Sequence, residues 1–420
     1  MLGAWSRYAE MSGTLAGLAG LVSSVVLAGA LFSPGTPETE TETETPEVRA
    51  AVRVEIETEA QRRAVRASMV DLWSDSDTGT SVDVVMGPEG IDALRERGIA
   101  FEVLVPDIDA VAAAEMARIE AAEIARPGNW FAEYRDYETV DAYLDVLAAR
   151  RPDLARVERL GASTHGRPIR ALRLSAARDD AKAIVLNGGQ HAREWISVMV
   201  STCVADRMVS GYDTDPRIQA LLDERVVWVA PVINPDGYVH SWESDRYWRK
   251  NRAEPYGVDL NRNWSVGFGA RGSSSNRRSQ IYRGPYAFSE PETRALRDLI
   301  TREPVVAHVD FHSFGQMILY PWGYTKKPAP ERDRLAALGD AMASAIAATH
   351  GEHYKLMSAA ELYAAGGTAL DWSYGEGGAD GFTIELRPTG GSGFVLPPEQ
   401  IVPTCDEGLA AVLALAERVD

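Results

Sequence analysis

The sequence predicts an α/β protein whose sheet is buried by helices on both faces, with a smaller unit of mixed strands and helices ahead of it. Three observations carry this expectation. From Tyr134 onward, apolar runs of strand length alternate with longer helical stretches. The runs at residues 183–186 and 226–233 are apolar throughout rather than at every second position, the pattern of strands covered on both sides. Before Tyr134, short alternating and short amphipathic segments follow one another over too few residues for more than a small core.

Residues 11–36 contain no charged side chain, and 15–32 are rich in Leu, Val, Ala and Gly. With Arg7 before it and Ala28-Gly29-Ala30 near its end, the stretch 1–33 reads as an export signal. The alternative is a retained, outward-facing membrane anchor, because the apolar run approaches the ~20 residues that span a bilayer. Residues 34–47 alternate Thr and Glu between prolines, cannot bury apolar area, and read as a disordered linker.

Residues 48–127 make the smaller unit. VRVEIE at 52–57 alternates as an edge strand, 59–72 has helical periodicity, SVDVVM at 81–86 is a second strand, 88–97 a second helix and 100–105 a third strand. An Ala- and Glu-rich helix over 107–125 then ends at Pro127-Gly128. In the larger unit, 128–420, an amphipathic helix covers 137–150, and 155–161 pairs with 167–175 about a turn at Gly166. Residues 183–189 form a buried strand ending in glycines, 197–209 a helix, and 226–234 another buried strand.

At 420 residues with 45% hydrophobic content the chain has material for a large core. Its net charge of −18 is uneven, with −13 falling in residues 37–125 and −5 in 126–420. No basic face stands out, which argues against a nucleic-acid partner. The two cysteines, Cys203 and Cys405, are too far apart for a CxxC metal knuckle; they are either one disulfide or two buried thiols, and the sequence leaves both open.

The chemistry gathers around QHAREW, residues 190–195, which follows the Asn187-Gly188-Gly189 turn. A strand ending there presents His191 and Glu194 from its C-terminal end into one space, half of a zinc site. In VVAHVDFHSFG, residues 305–315, the strand period of two puts His308, Asp310 and His312 on one face. Two histidines therefore compete for the third ligand position. His312 is preferred because it sits at the strand's C-terminal end, before Ser313 and Gly315, where α/β sheets present their sites. A hydrolytic site also needs a base, and FTIELRP at 382–388 offers Glu385 within an apolar strand. The competing reading pairs Glu385 with Arg387 as a buried ion pair. Arginines stand beside aromatics in RYWRKNR (246–252) and DLNRNW (259–264), and guanidinium forks suit carboxylates.

QHAREW, RYWRKNR, DLNRNW, HSFGQMILYPWGY, YAAGGTALDW and FTIELRPTG, in this order and at these separations, resemble the zinc metallocarboxypeptidases of the carboxypeptidase A and B type. Residues 48–125 resemble the pro-segment of that family's zymogens. The resemblance implies a mixed, mostly parallel twisted sheet with helices on both faces, preceded by a small α+β pro-domain. It implies one zinc ion per chain held by His191, Glu194 and His312, with Glu385 as general base. Asp259 would hold the His191 ring and Arg249 would stabilise the oxyanion. Asn261, Arg262 and Tyr363 would bind the free C-terminal carboxylate of a peptide or protein substrate, with Arg193 further along the cleft. Leu370 falls at the family's specificity position, near Gly323 and Thr383, which implies an apolar or aromatic C-terminal residue; Asp371 stands next to it, and an acidic residue in that place would reverse the preference.

Two features depart from the family pattern. Phe314 replaces a tyrosine after His-Ser, and the family's common disulfide near residue 276 is absent. The acidic N-terminal unit suggests an inhibitory segment laid over an arginine-rich cleft and removed by an activating protease, with Arg118 a better cleavage position than Arg126. The expected product is a secreted zinc carboxypeptidase. A zinc amidohydrolase acting on small acylated amino acids, or a binding module that keeps the fold without activity, are the alternatives; the complete ligand set, base and carboxylate clamp speak against both.

Overall fold

Side-chain parity along the strands decides which face of the main sheet each helix covers. In strand β7 (Ala183–Asn187), Ile184 and Leu186 join one core, while Ala183 and Val185 join another on the opposite face. The computed structural model describes residues 47–74, 79–125, 129–391 and 393–420. The segment 1–33, nearly all of the linker 34–47, Arg126 and the Pro127-Gly128 break lie outside the described residues. Among the described residues no helix is long and apolar enough to cross a membrane.

The N-terminal part runs β1 (Ala50–Glu55), α1 (Glu59–Ser68), β2 (Asp71–Leu72), β3 (Ser81–Met86), α2 (Pro88–Glu96), β4 (Phe101–Val105) and α3 (Ile108–Ala125). Its strands form an antiparallel sheet in the order β2-β3-β1-β4. One face packs Val52, Val54, Val82 and Val84 under Val65 of α1 and Leu94 of α2. From the other face, Ala51 and Val85 join Trp73, Tyr247 and Phe394, so this sheet is covered on both sides.

Two expectations are corrected here. The strand containing VRVEIE is not an edge: β1 lies between β3 and β4. Its alternation came from Arg53 and Glu55, and Arg53 spends its guanidinium on Asp83 of the neighbouring strand at 2.7 Å rather than on solvent. The helix expected over 59–72 stops at Ser68, where Met69 turns extended, and Val70 and Trp73 donate their N–H groups to Val85 and Asp83. Leu72 fits the helical period yet serves the sheet, because the bonds of this segment to β3 outweigh one more turn of helix.

The remainder runs α4 (Tyr137–Arg150), β5 (Ala155–Ala162), β6 (Pro168–Leu174), β7 (Ala183–Asn187), α5 (Trp195–Gly211), α6 (Pro216–Glu224), β8 (Val226–Ala230) and α7 (Pro235–Glu243). It continues with α8 (Pro291–Arg302), β9 (Val305–Ser313), β10 (Met317–Tyr320), α9 (Arg332–His350), β11 (Lys355–Ser358), α10 (Ala359–Leu362), α11 (Ala369–Gly375), β12 (Asp380–Leu386) and α12 (Ile401–Ala416). The eight-stranded sheet has the order β11-β10-β12-β9-β7-β8-β6-β5. Its centre, β12-β9-β7-β8, is parallel, and antiparallel pairs flank it at β10-β12, β8-β6 and β6-β5. This is the mixed, mostly parallel sheet the resemblance implied. Helices α4, α5, α9 and α12 fill one face and α8 and α11 the other.

Cys203 of α5 and Cys405 of α12 form a disulfide, with Cα atoms 5.9 Å apart. The question the sequence left open is closed by the packing of these two helices.

Candidate active site

Three parallel strands end together, and each delivers part of the site. After β7, Gly188 and Gly189 let the chain turn tightly: a Cβ on Gly188 would meet the Ser197 carbonyl oxygen at 2.5 Å, and Gly189 has φ +62°. That turn carries His191 and Glu194 into the space beyond the sheet, and α5 starts immediately afterwards. His312 is the penultimate residue of β9. On β12, Glu385 is in direct register with His312, so the expected base stands beside an expected ligand.

His191, Glu194 and His312 converge in the buried interior, with one donor atom of each inside a 4.8 Å span. Nδ1 of His191 lies 2.8 Å from Glu194 Oε1, and Nδ1 of His312 lies 3.0 Å from Glu194 Oε2. Both rings thus turn Nδ1 towards the carboxylate and Nε2 away. Two imidazole nitrogens and one carboxylate suit zinc and leave a fourth position for water or substrate. Burial alone would raise the Glu194 carboxyl; the imidazoles of His191 and His312 outweigh it and hold it well below the usual range.

Behind His191, its Nε2–H donates to Asp259 Oδ1 at 3.2 Å. The other oxygen of Asp259 accepts from Nε and Nη2 of Arg249 at 3.2 and 3.0 Å, and the Asn261 N–H caps Oδ1 at 3.0 Å. Burial raises the Asp259 carboxyl, but Arg249, Arg262 and His191 bring it far below its ordinary value. Arg249 is thereby aimed by a carboxylate that it neutralises.

His308, the rejected ligand candidate, is buried in a different network. Ser373 donates to its Nδ1 at 2.7 Å, and its Nε2–H donates to Asn187 Oδ1 at 2.5 Å. Burial lowers its pKa to about 4, which keeps the ring neutral. Arg387 is engaged by Glu407 of α12 and donates to Gln400 Oε1 at 2.6 Å, so its guanidinium has its own carboxylate away from Glu385.

The expected substrate residues are distributed around this centre. Tyr363 and Glu385 line a pocket of about 490 Å³ together with Phe314, Met317 and the N-terminal residues Arg53, Trp73 and Asp83. Asn261 and Arg262 are buried; Asn261 Oδ1 accepts from the Ala369 N–H at 3.0 Å, and Arg262 donates to the Gly272 carbonyl at 2.7 Å. Leu370 packs with Leu319, Met357 and Ala359. The neighbouring Asp371 turns its carboxylate onto the N–H groups of Gly323 and Tyr324 at 2.8 and 2.9 Å, and burial lifts its pKa to about 7. Arg193 reaches the N-terminal unit: it donates to Asp71 Oδ2 at 3.2 Å and to the carbonyls of Leu72 and Trp73 at 3.0 and 3.2 Å.

The role of one group escaped the sequence reading. Asp310 lies 2.8 Å from Nε2 of His312, the mirror of Asp259 behind His191. The signal was present in its position two residues before His312 on the same strand face.

Two histidines and a glutamate at the ends of parallel strands, with a second glutamate beside them, define a zinc hydrolase site. The chain belongs to the zinc carboxypeptidase family, whose model matches residues 140–411. It is a metallocarboxypeptidase of the A/B type, and zinc is its metal. It is 33% identical to carboxypeptidase A1 of Rattus norvegicus over 364 residues, covering 83% of this chain and 87% of that protein. With carboxypeptidase B of Astacus astacus it shares 40% identity over 296 residues, covering 68% and 97%. Among solved structures, thrombin activatable fibrinolysis inhibitor superposes with a TM-score of 0.80 at 29% identity, covering 89% of this chain and 99% of that one. The carboxypeptidase A of Helicoverpa armigera gives 0.79 at 29% identity, covering 88% and 98%.

Proposed function

We propose that the chain is an exported carboxypeptidase that hydrolyses the last peptide bond of peptides and proteins, prefers apolar or aromatic C-terminal residues, and is made as a zymogen. In this reading residues 48–127 are the pro-domain and 128–420 the catalytic domain. The observation that carries it is the convergence of His191, Glu194 and His312 beside Glu385, with Asp259 and Arg249 behind them.

The chemistry supplied by a zinc ion held by His191, Glu194 and His312 is acidification of a water and polarisation of the scissile carbonyl. Glu385 takes the proton of the attacking water and returns it to the leaving amine. Arg249, held by Asp259, stabilises the charge that develops on the carbonyl oxygen. Asn261, Arg262 and Tyr363 clamp the substrate's terminal carboxylate, so that only the last bond reaches Glu385. The apolar surroundings of Leu370, and the engagement of Asp371 by backbone amides, support an apolar rather than a basic C-terminal side chain.

The zymogen reading rests on what covers the cleft. Arg193 is held by Asp71, Leu72 and Trp73, and Trp73 stacks on Tyr247 and meets Phe394 edge-on. A buried ion pair joins Glu115 of α3 to Arg246. The likeness to thrombin activatable fibrinolysis inhibitor extends over more of the chain than residues 128–420 contain. Activation by another protease would cut in α3 or just after it; Arg118 lies within that helix and pairs with Glu133, so the helix must open before cleavage there. Export is supported by the uncharged run at 11–36 and by the disulfide.

The test compares the intact chain with the product of limited proteolysis after α3 on blocked dipeptides ending in Phe or Arg. Faster release of Phe, and only after cleavage, is expected. Equal turnover before and after cleavage contradicts the zymogen reading, and faster release of Arg contradicts the specificity.

A further inference from the structure

The two histidines of the zinc centre are backed by carboxylates of different character. Asp259, behind His191, is also bound by the Arg249 guanidinium, which neutralises it. Asp310, behind His312, accepts from Asn187 Nδ2 at 2.6 Å, from Gln190 Nε2 at 2.6 Å and from His312 Nε2 at 2.8 Å. Those partners are two amides and one imidazole. Asp310 is wholly buried.

The direction of each hydrogen bond follows from its neighbours. A carboxylate only accepts, so Asn187 turns its NH₂ to Asp310 and its carbonyl to His308. His308 must then carry its proton on Nε2 to donate at 2.5 Å, which leaves Nδ1 to accept from the Ser373 hydroxyl at 2.7 Å. Gln190 is fixed in the same way, because its Oε1 accepts from Trp264 Nε1 at 3.2 Å. The chain Ser373, His308, Asn187, Asp310 thus has one consistent set of donors from α11 to the metal centre. At its end His312 must donate from Nε2, and its Nδ1 lone pair faces Glu194 and His191.

We propose that Asp310 is a positioning residue of the zinc centre: it fixes the Nε2–H tautomer of His312, aims Nδ1 at the metal and, with no guanidinium bound to it among the described residues, makes His312 a stronger donor than His191. Asn187 and Gln190 hold the carboxylate, and His308 with Ser373 braces Asn187. The motif is a histidine–carboxylate pair built on β9 and held from β7. A backing carboxylate of this kind commonly supports about 10–100-fold in metal affinity. This rests on the reading of His312 as a zinc ligand, and the experiment separates the two.

Zinc affinity is measured on the full-length chain by competition with a chromophoric chelator, for the parent and for Asp310→Asn, Asn187→Ala and His312→Ala. Asp310→Asn keeps the size and an acceptor but removes the charge; zinc affinity should fall by about 10–100-fold, with the metal-free melting temperature near that of the parent and a shifted Co(II) absorption spectrum. Asn187→Ala, which keeps the carboxylate but removes its brace, should weaken zinc less. A folded Asp310→Asn chain that binds zinc within about threefold of the parent, with an unchanged Co(II) spectrum, overturns the proposal. Should Asp310→Asn not fold, unchanged affinity in Asn187→Ala overturns it instead. If His312→Ala itself keeps the parent's affinity, the ligand assignment falls, and this proposal with it.

Discussion

The Asp71 carboxylate lies 3.2 Å from a terminal nitrogen of Arg193, so a guanidinium expected to face substrate is held by the N-terminal unit. Burial raises the Asp71 carboxyl, against the lowering effect of Arg193. Geometry and backbone carbonyls therefore matter as much as charge in this contact. Asp71→Ala should raise the activity of the intact chain on blocked dipeptides several-fold, because Arg193 loses one of its anchors while Leu72 and Trp73 keep theirs. An intact Asp71→Ala chain no more active than the parent would place the block elsewhere.

Under the proposed mechanism, Glu385 separates chemistry from metal binding. Glu385→Gln should bind one zinc and lose about 10²–10⁴-fold in kcat with little change in KM, the size expected of a general base. Metal analysis beside steady-state kinetics distinguishes this from loss of the zinc.

Specificity should reside in Leu370. Leu370→Asp is expected to move the preference from C-terminal Phe towards Arg, read as the ratio of kcat/KM values; a substitution of one apolar wall by a charge should shift that ratio by at least about tenfold. An unchanged ratio would show that another residue closes the pocket.

His308 gives a pH signature. Its folded pKa of about 4 lies below the unfolded 6.5, so the neutral ring contributes stability that is present above pH 6.5 and lost as pH falls towards 4. The full shift corresponds to roughly 3 kcal/mol. His308→Gln, which can still donate to Asn187, should flatten the dependence of denaturation midpoints between pH 7 and 4. A variant with the parent's slope would mean that the ring protonates without cost.

The candidate site was legible in the sequence because the residues that converge there come as short local signals: His191 and Glu194 three apart after a glycine turn, and His312 at the end of an apolar strand. Period two gave the face of β9, and the place of His312 at the strand's C-terminal end chose it over His308. Asp310 was placed on that face by the same parity, but its role was not legible, because it depends on Asn187 of β7 and on Gln190 just beyond it. Leu72 was misread since a helix and a two-residue strand both accept an apolar residue there, and only the β3 ladder decides. The place of β1 between its neighbours could not be read from alternation, which is shared by edge strands and by inner strands whose outward residues pair across the ladder. The cysteine pairing depended on the distance between α5 and α12, a quantity with no local trace.

That bond also dates the molecule. Cys405 follows Cys203 by 202 residues, and the chain has no third cysteine. A chain that reaches past Cys203 but stops short of Cys405 therefore carries an unpaired thiol, while one in which the bond has formed carries none at these two positions. A thiol-reactive label applied under denaturing conditions therefore reports the chains in which Cys203 and Cys405 are not joined.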